Sequence, residues 1–89
     1  MSASAGRPVS GVVRDARGAP VALARVWFRS GPGALPDVAA LTDGQGRFTL
    51  SAPRAGSYEI GCSTDTLGSA RAGIVVRDQG VQVEIVLPP

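Results

Sequence analysis

Histidine, lysine and asparagine are all absent from this 89-residue chain, and each absence removes a class of chemistry. Without lysine there is no P-loop lysine, no Schiff base and no lysine isopeptide crosslink. Without histidine or lysine a serine or cysteine nucleophile lacks its usual base, and metal-assisted hydrolysis would have to rely on carboxylates alone. The groups left to titrate between about pH 5 and 8 are the amino terminus and a perturbed Cys62, so stability should be nearly flat across that range. A single cysteine excludes an internal disulfide, and the alternation around Cys62 reads as a buried thiol. No run approaches the ~18 apolar residues of a membrane span, and the opening MSASAGRP lacks the apolar core of a secretory signal. The expectation is a cytoplasmic location if Met1 is the native start and an extracytoplasmic one if the chain is cut from a larger protein. The net charge is only +2 and the nine basic residues, all arginine, are spread from Arg7 to Arg77, so no nucleic-acid footprint stands out.

What is present points to a small all-β domain. A 44% hydrophobic content with 12 Gly and 7 Pro suits short strands joined by many turns. One core is all that this length allows, with a stability of a modest few kcal/mol. Residues 42–58, TDGQGRFTLSAPRAGSY, organise the rest as turn, strand, turn, strand. Asp43 can bond the backbone two residues on, and Gly44 and Gly46 are expected to supply the positive φ of a tight hairpin. Phe48 and Leu50 alternate with Arg47, Thr49 and Ser51, which gives a half-buried strand that Pro53 stops. After Gly56, the residues Tyr58, Ile60 and Cys62 alternate again.

Further strands are expected at residues 9–14, 23–30, 38–42, 70–76 and 81–87, with residues 1–7 flexible and residues 8–89 forming the domain. In the second strand, Ala24, Val26 and Phe28 share one face, and Arg25, Trp27 and Arg29 the other. Residues 31–37, GPGALPD, form the longest irregular segment and the loop most free to carry an individual function.

The run Thr42, Asp43, Gly46, Arg47, Phe48, Leu50, Gly56 and Tyr58 resembles the TDxxGxF…L…GxY pattern of carboxypeptidase regulatory-like domains. Gly11 to Val13, Asp15, Gly18, Pro20, Val21, Ala24 and Val26 are similar to that family's opening, and Val81, Val83, Ile85 and Leu87 to its closing strand. The resemblance implies a seven-stranded Greek-key β-sandwich of transthyretin-like (prealbumin-like) type, with Asp43, Gly46, Phe48, Gly56 and Tyr58 as structural residues and Tyr58 as a tyrosine corner. It also implies that the aliphatic set of the second strand faces inward. Transthyretin-related hydroxyisourate hydrolases have the same fold, but they carry catalytic histidines and a Tyr-Arg-Gly-Ser tail. This chain has no histidine and ends in Leu-Pro-Pro, so the expectation is that it is not an enzyme and needs no cofactor.

Two candidate sites follow. If successive strands run up and down, Asp15, Asp43 and Asp65 come to one end, where three carboxylates could hold calcium; the plainer reading is that each caps its own turn. The outward face of Arg25, Trp27 and Arg29, with Leu35 and Pro36 of the 31–37 loop, is the candidate contact surface, because Trp and Arg are over-represented at interfaces. The expected role is a protein-interaction or accessory module that meets a protein partner or a neighbouring domain, without nucleic acid or membrane insertion. The alternatives are a structural spacer in a larger secreted or surface protein, and a carbohydrate-binding module.

Overall fold

The computed structural model describes residues 6–36 and 38–89 as seven strands: β1 (Arg7–Arg14), β2 (Arg25–Ser30), β3 (Ala40–Leu41), β4 (Arg47–Ala52), β5 (Gly56–Ser63), β6 (Ser69–Val76) and β7 (Val81–Val86). The expected flexible segment falls outside the described residues for positions 1–5, and Arg7 already opens β1 opposite Ala52. Two sheets face each other, a three-stranded one in the order β4-β1-β7 and a four-stranded one in the order β3-β2-β5-β6. β1 pairs antiparallel with β4 and parallel with β7, so the chain crosses repeatedly between sheets in a Greek key.

The period-two alternation read from the sequence produces this core directly. Val9 and Val13 of β1, Phe48, Leu50 and Ala52 of β4, and Ile85 of β7 point inward from one sheet. Val26 and Phe28 of β2, Tyr58, Ile60 and Cys62 of β5, and Ile74 and Val76 of β6 meet them from the other. Phe28 and Tyr58 pack with ring centroids 4.9 Å apart at 43°. Thr42 is the buried polar residue among the described ones; its hydroxyl donates to the Val21 carbonyl at 2.6 Å and accepts from the Ala24 amide at 2.9 Å, which satisfies it and ties the start of β2 to the end of β3.

Besides β3, which is only Ala40–Leu41 where a strand at 38–42 is expected, three details differ from the sequence expectation. The stretch 42–58 does not make hairpins, because β3, β4 and β5 alternate between the two sheets and β4 pairs with β1. β4 and β5 each present an apolar face to the core and meet across it from opposite sheets. β2 begins at Arg25 rather than residue 23, because Leu23 sits at φ 61°, in a turn whose amide donates to Thr42 at 3.0 Å. In the 43–46 turn, Gly46 alone has positive φ, at 77°. A Cβ there would stand 2.5 Å from the Val13 carbonyl oxygen, so both its conformation and its close approach to β1 require glycine.

Candidate functional site: the outer face of the four-stranded sheet

The register β2-β5-β6 builds this face from residues distant in sequence. Trp27 lies opposite Gly61, and Gly61 opposite Arg71; one row further along, Arg25, Ser63 and Ser69 are aligned. Trp27 is half-buried on the outward side, with exposed Arg25 and Arg29 on the same strand. A Cβ on Gly61 would come within 2.9 Å of both Trp27 Cζ2 and Arg29 Cδ, so the missing side chain is what lets the indole and the arginine stem lie down over β5. An irregularity between Phe28 and Ser30 leaves Arg29 as the extra residue of β2.

The result is an open groove of about 520 Å³, walled by Trp27, Arg29, Ser63, Ser69 and Arg71. Arg29 Nε donates to Glu59 Oε1 at 3.0 Å, and Arg25 stands 3.7 Å from Asp65. Arg71 makes no ion pair among the described residues and is exposed. Chemically, the groove offers an aromatic ring, a free guanidinium and two hydroxyls.

The 31–37 loop divides between two roles. Leu35 is half-buried and packs on the core, whereas Pro36 lines a second depression beside Trp27 with Val38 and Ala39. Asp37 lies outside the described residues. The structure therefore places Trp27 between two depressions, one shared with Pro36 and the other with Arg29, and turns Leu35 toward the interior. Sequence reasoning missed Gly61, Arg71, Ser63 and Ser69. The turn 64–68, where the Thr64 amide donates to the Gly68 carbonyl at 2.9 Å, fixes the β5-β6 pairs that carry Arg71 and Ser69, whereas Gly61 and Ser63 reach Trp27 and Arg25 through the β2-β5 register, which no turn in the sequence announces.

The structure does not bring the three aspartates together as a group: among the described residues no cluster of three metal-binding side chains occurs. Asp15 and Asp65 do border one cleft. However, Asp15 Oδ1 accepts the Arg17 and Ala19 amides, both at 2.9 Å, and Asp43 Oδ1 accepts those of Gln45 and Arg47, both at 2.9 Å. These bonds hold the Asp43 carboxyl below the ordinary carboxylate value, that of Arg47 most and that of Gln45 next. Tyr58 makes the corner: its hydroxyl donates to the Arg54 carbonyl at 2.6 Å and accepts the Arg54 amide at 3.2 Å. Burial alone pushes the Cys62 thiol up, as expected of an inert core cysteine. No helix among the described residues is long and apolar enough to cross a membrane.

Among solved structures, the 5-hydroxyisourate hydrolase of Klebsiella pneumoniae superposes with a TM-score of 0.69 at 22% identity, over 93% of this chain and 85% of that one. A Pseudomonas aeruginosa protein proposed to bind carbohydrate aligns with a TM-score of 0.48 at 16% identity, over 96% and 89% of the two chains. No curated protein matches the sequence. The hydrolase corrects one expectation. Missing histidine led to the view that the chain is no enzyme, yet an enzyme shares its transthyretin-like architecture over almost its whole length, so that exclusion does not stand. Missing histidine removes imidazole chemistry and nothing broader, and at this identity the likeness shows the fold without assigning a reaction. The carboxypeptidase regulatory-like domain pattern matches residues 8–88, the span over which the turn residues Asp43, Gly46 and Gly56 and the Tyr58 corner occur, and the chain therefore belongs to the carboxypeptidase regulatory-like domain family.

Proposed function

We propose that this domain is an accessory, protein-interaction module that meets a partner, or a neighbouring domain of a larger protein, through the outer face of its four-stranded sheet. The observation that carries the reading is the placement of Trp27. A half-buried indole, held flat by Gly61 and bordered by Arg29 and Arg71, is the anchor chemistry on which protein interfaces concentrate their binding energy. Pro36, with Val38 and Ala39, extends the contact area toward the 31–37 loop. Membership of the carboxypeptidase regulatory-like domain family fits a module of this kind.

The test is capture of a partner from the native organism's lysate by the native domain and by Trp27→Ala, read by mass spectrometry. A partner retained by the native domain and lost at least tenfold by the variant supports the reading. Equal retention by both would make the face structural and leave a spacer role in its place.

A further inference from the structure

We infer that the free edge of β6 is a strand-addition site for an acidic, extended segment of a partner protein. The inference extends the reading above, since Arg71 belongs both to this edge and to the Trp27 groove. β6 ends the four-stranded sheet, hydrogen-bonded to β5 on one side and, among the described residues, to no strand on the other, although β7 comes close to it beyond the connecting turn at 77–80. It is eight residues long, against two for β3 and six each for β4 and β7, the other edge strands.

The register settles which backbone groups are free. The Thr64 amide bonds the Gly68 carbonyl, and Ser63 pairs with Ser69, Cys62 with Ala70 and Gly61 with Arg71. Bonded and non-bonded pairs alternate in an antiparallel ladder. Ala70, Ala72 and Ile74 therefore spend their N–H and C=O groups on β5, whereas Ser69, Arg71, Gly73 and Val75 point theirs out of the open edge. None of these four is proline, so the edge offers a full ladder of donors and acceptors.

Side chains specify the occupant. Within β6 the only charged residue is Arg71, which has no ion-pair partner among the described residues, and Arg77 follows just after the strand. A second copy of β6 would bring more arginine and no carboxylate to the edge. An incoming strand with Glu or Asp on its outward side would instead pair with Arg71. Its inward side should be apolar, because half-buried Ala70 and Ala72 leave the core thinly covered along this margin. Gly73, with nothing within 4 Å of a would-be Cβ, leaves room for the incoming backbone and side chains.

The probe is a capped eight-residue peptide alternating glutamate with valine, titrated into the isotope-labelled domain and followed by amide NMR, with the lysine-for-glutamate peptide as control. The expected result is shifted and exchange-protected amides at Arg71 and Gly73, an affinity reduced at least tenfold by Arg71→Glu, and loss of binding in Gly73→Pro. Equal binding of the two peptides, or no change at β6 amides at millimolar peptide, overturns the inference, as does concentration-dependent dimerisation through β6. If Gly73→Pro does not fold, the amide map and Arg71→Glu decide the matter. A captured partner that requires Trp27 but binds folded Gly73→Pro undiminished leaves the proposed function standing and removes this site.

Discussion

Tyr58, Gly46 and Asp43 each hold a turn by a separate physical device, and each can be tested alone. Tyr58→Phe removes a hydroxyl that both donates to and accepts from Arg54, so it should destabilise the fold by about 1–2 kcal/mol in urea unfolding, with the denaturant slope unchanged. Gly46→Ala combines a positive φ with a collision at the Val13 carbonyl and should cost roughly 2 kcal/mol or more in the same assay. Asp43 acts through pH. Its folded pKa is depressed by amide hydrogen bonds, so its contribution is present above the unfolded value of about 3.9 and is lost as pH falls through the folded value. Cys62 has the opposite sign: its folded pKa is raised by burial, so stability declines as pH rises past the unfolded thiol value of about 8.5. Melting temperature should therefore be flat from about pH 5 to 8 and fall on both sides, with Asp43→Ala blunting the acid limb and Cys62→Ala the alkaline one. A steep transition near neutral pH would contradict this assignment.

At the scale of elements, strand alternation was legible in the sequence because a period of two leaves no ambiguity about which residues share a face. Phe48, Leu50, Tyr58, Ile60 and Cys62 all lie in the core as the alternation requires. Pairing was less legible. Two successive alternating strands, β4 and β5, look like a hairpin, and alternation alone does not say whether they lie beside each other or across a core. The start of β2 was hidden for a different reason, since leucine rarely adopts positive φ and Leu23 gives no glycine or asparagine signal. The candidate site was half visible. Trp27 and its flanking arginines follow from β2 alone, but Gly61 and Arg71 enter only through pairing with β5 and β6. Gly61→Val isolates that pairing: the new side chain should push the indole outward and shift Trp27 fluorescence to longer wavelength, at a stability cost under about 2 kcal/mol. Because Trp27 is the sole tryptophan, emission reports this face without interference.

For the whole molecule, one core and no disulfide carry the fold, so single core positions matter greatly. Ile60, fully buried at the centre of β5, should lose roughly 3 kcal/mol on truncation to alanine, a large share of the stability of a domain this small, and chemical denaturation would show it. The two sheets have unlike outer surfaces. On the four-stranded sheet an indole and a free arginine share a groove; on the three-stranded sheet the groove is walled by Ser10, Val12, Arg47, Thr49, Gln82 and Glu84, and its lining aromatic, Phe48, is a buried core residue. The central claim is that the first of these surfaces is the one that meets a partner. It is tested most directly by quantitative capture from native lysate with three baits: the native domain, Trp27→Ala, and Thr49→Ala as a control on the opposite face. The account predicts a partner held equally by the native and Thr49→Ala baits and lost by Trp27→Ala; a partner lost by Thr49→Ala and retained by Trp27→Ala would contradict it and move the interface to the three-stranded sheet.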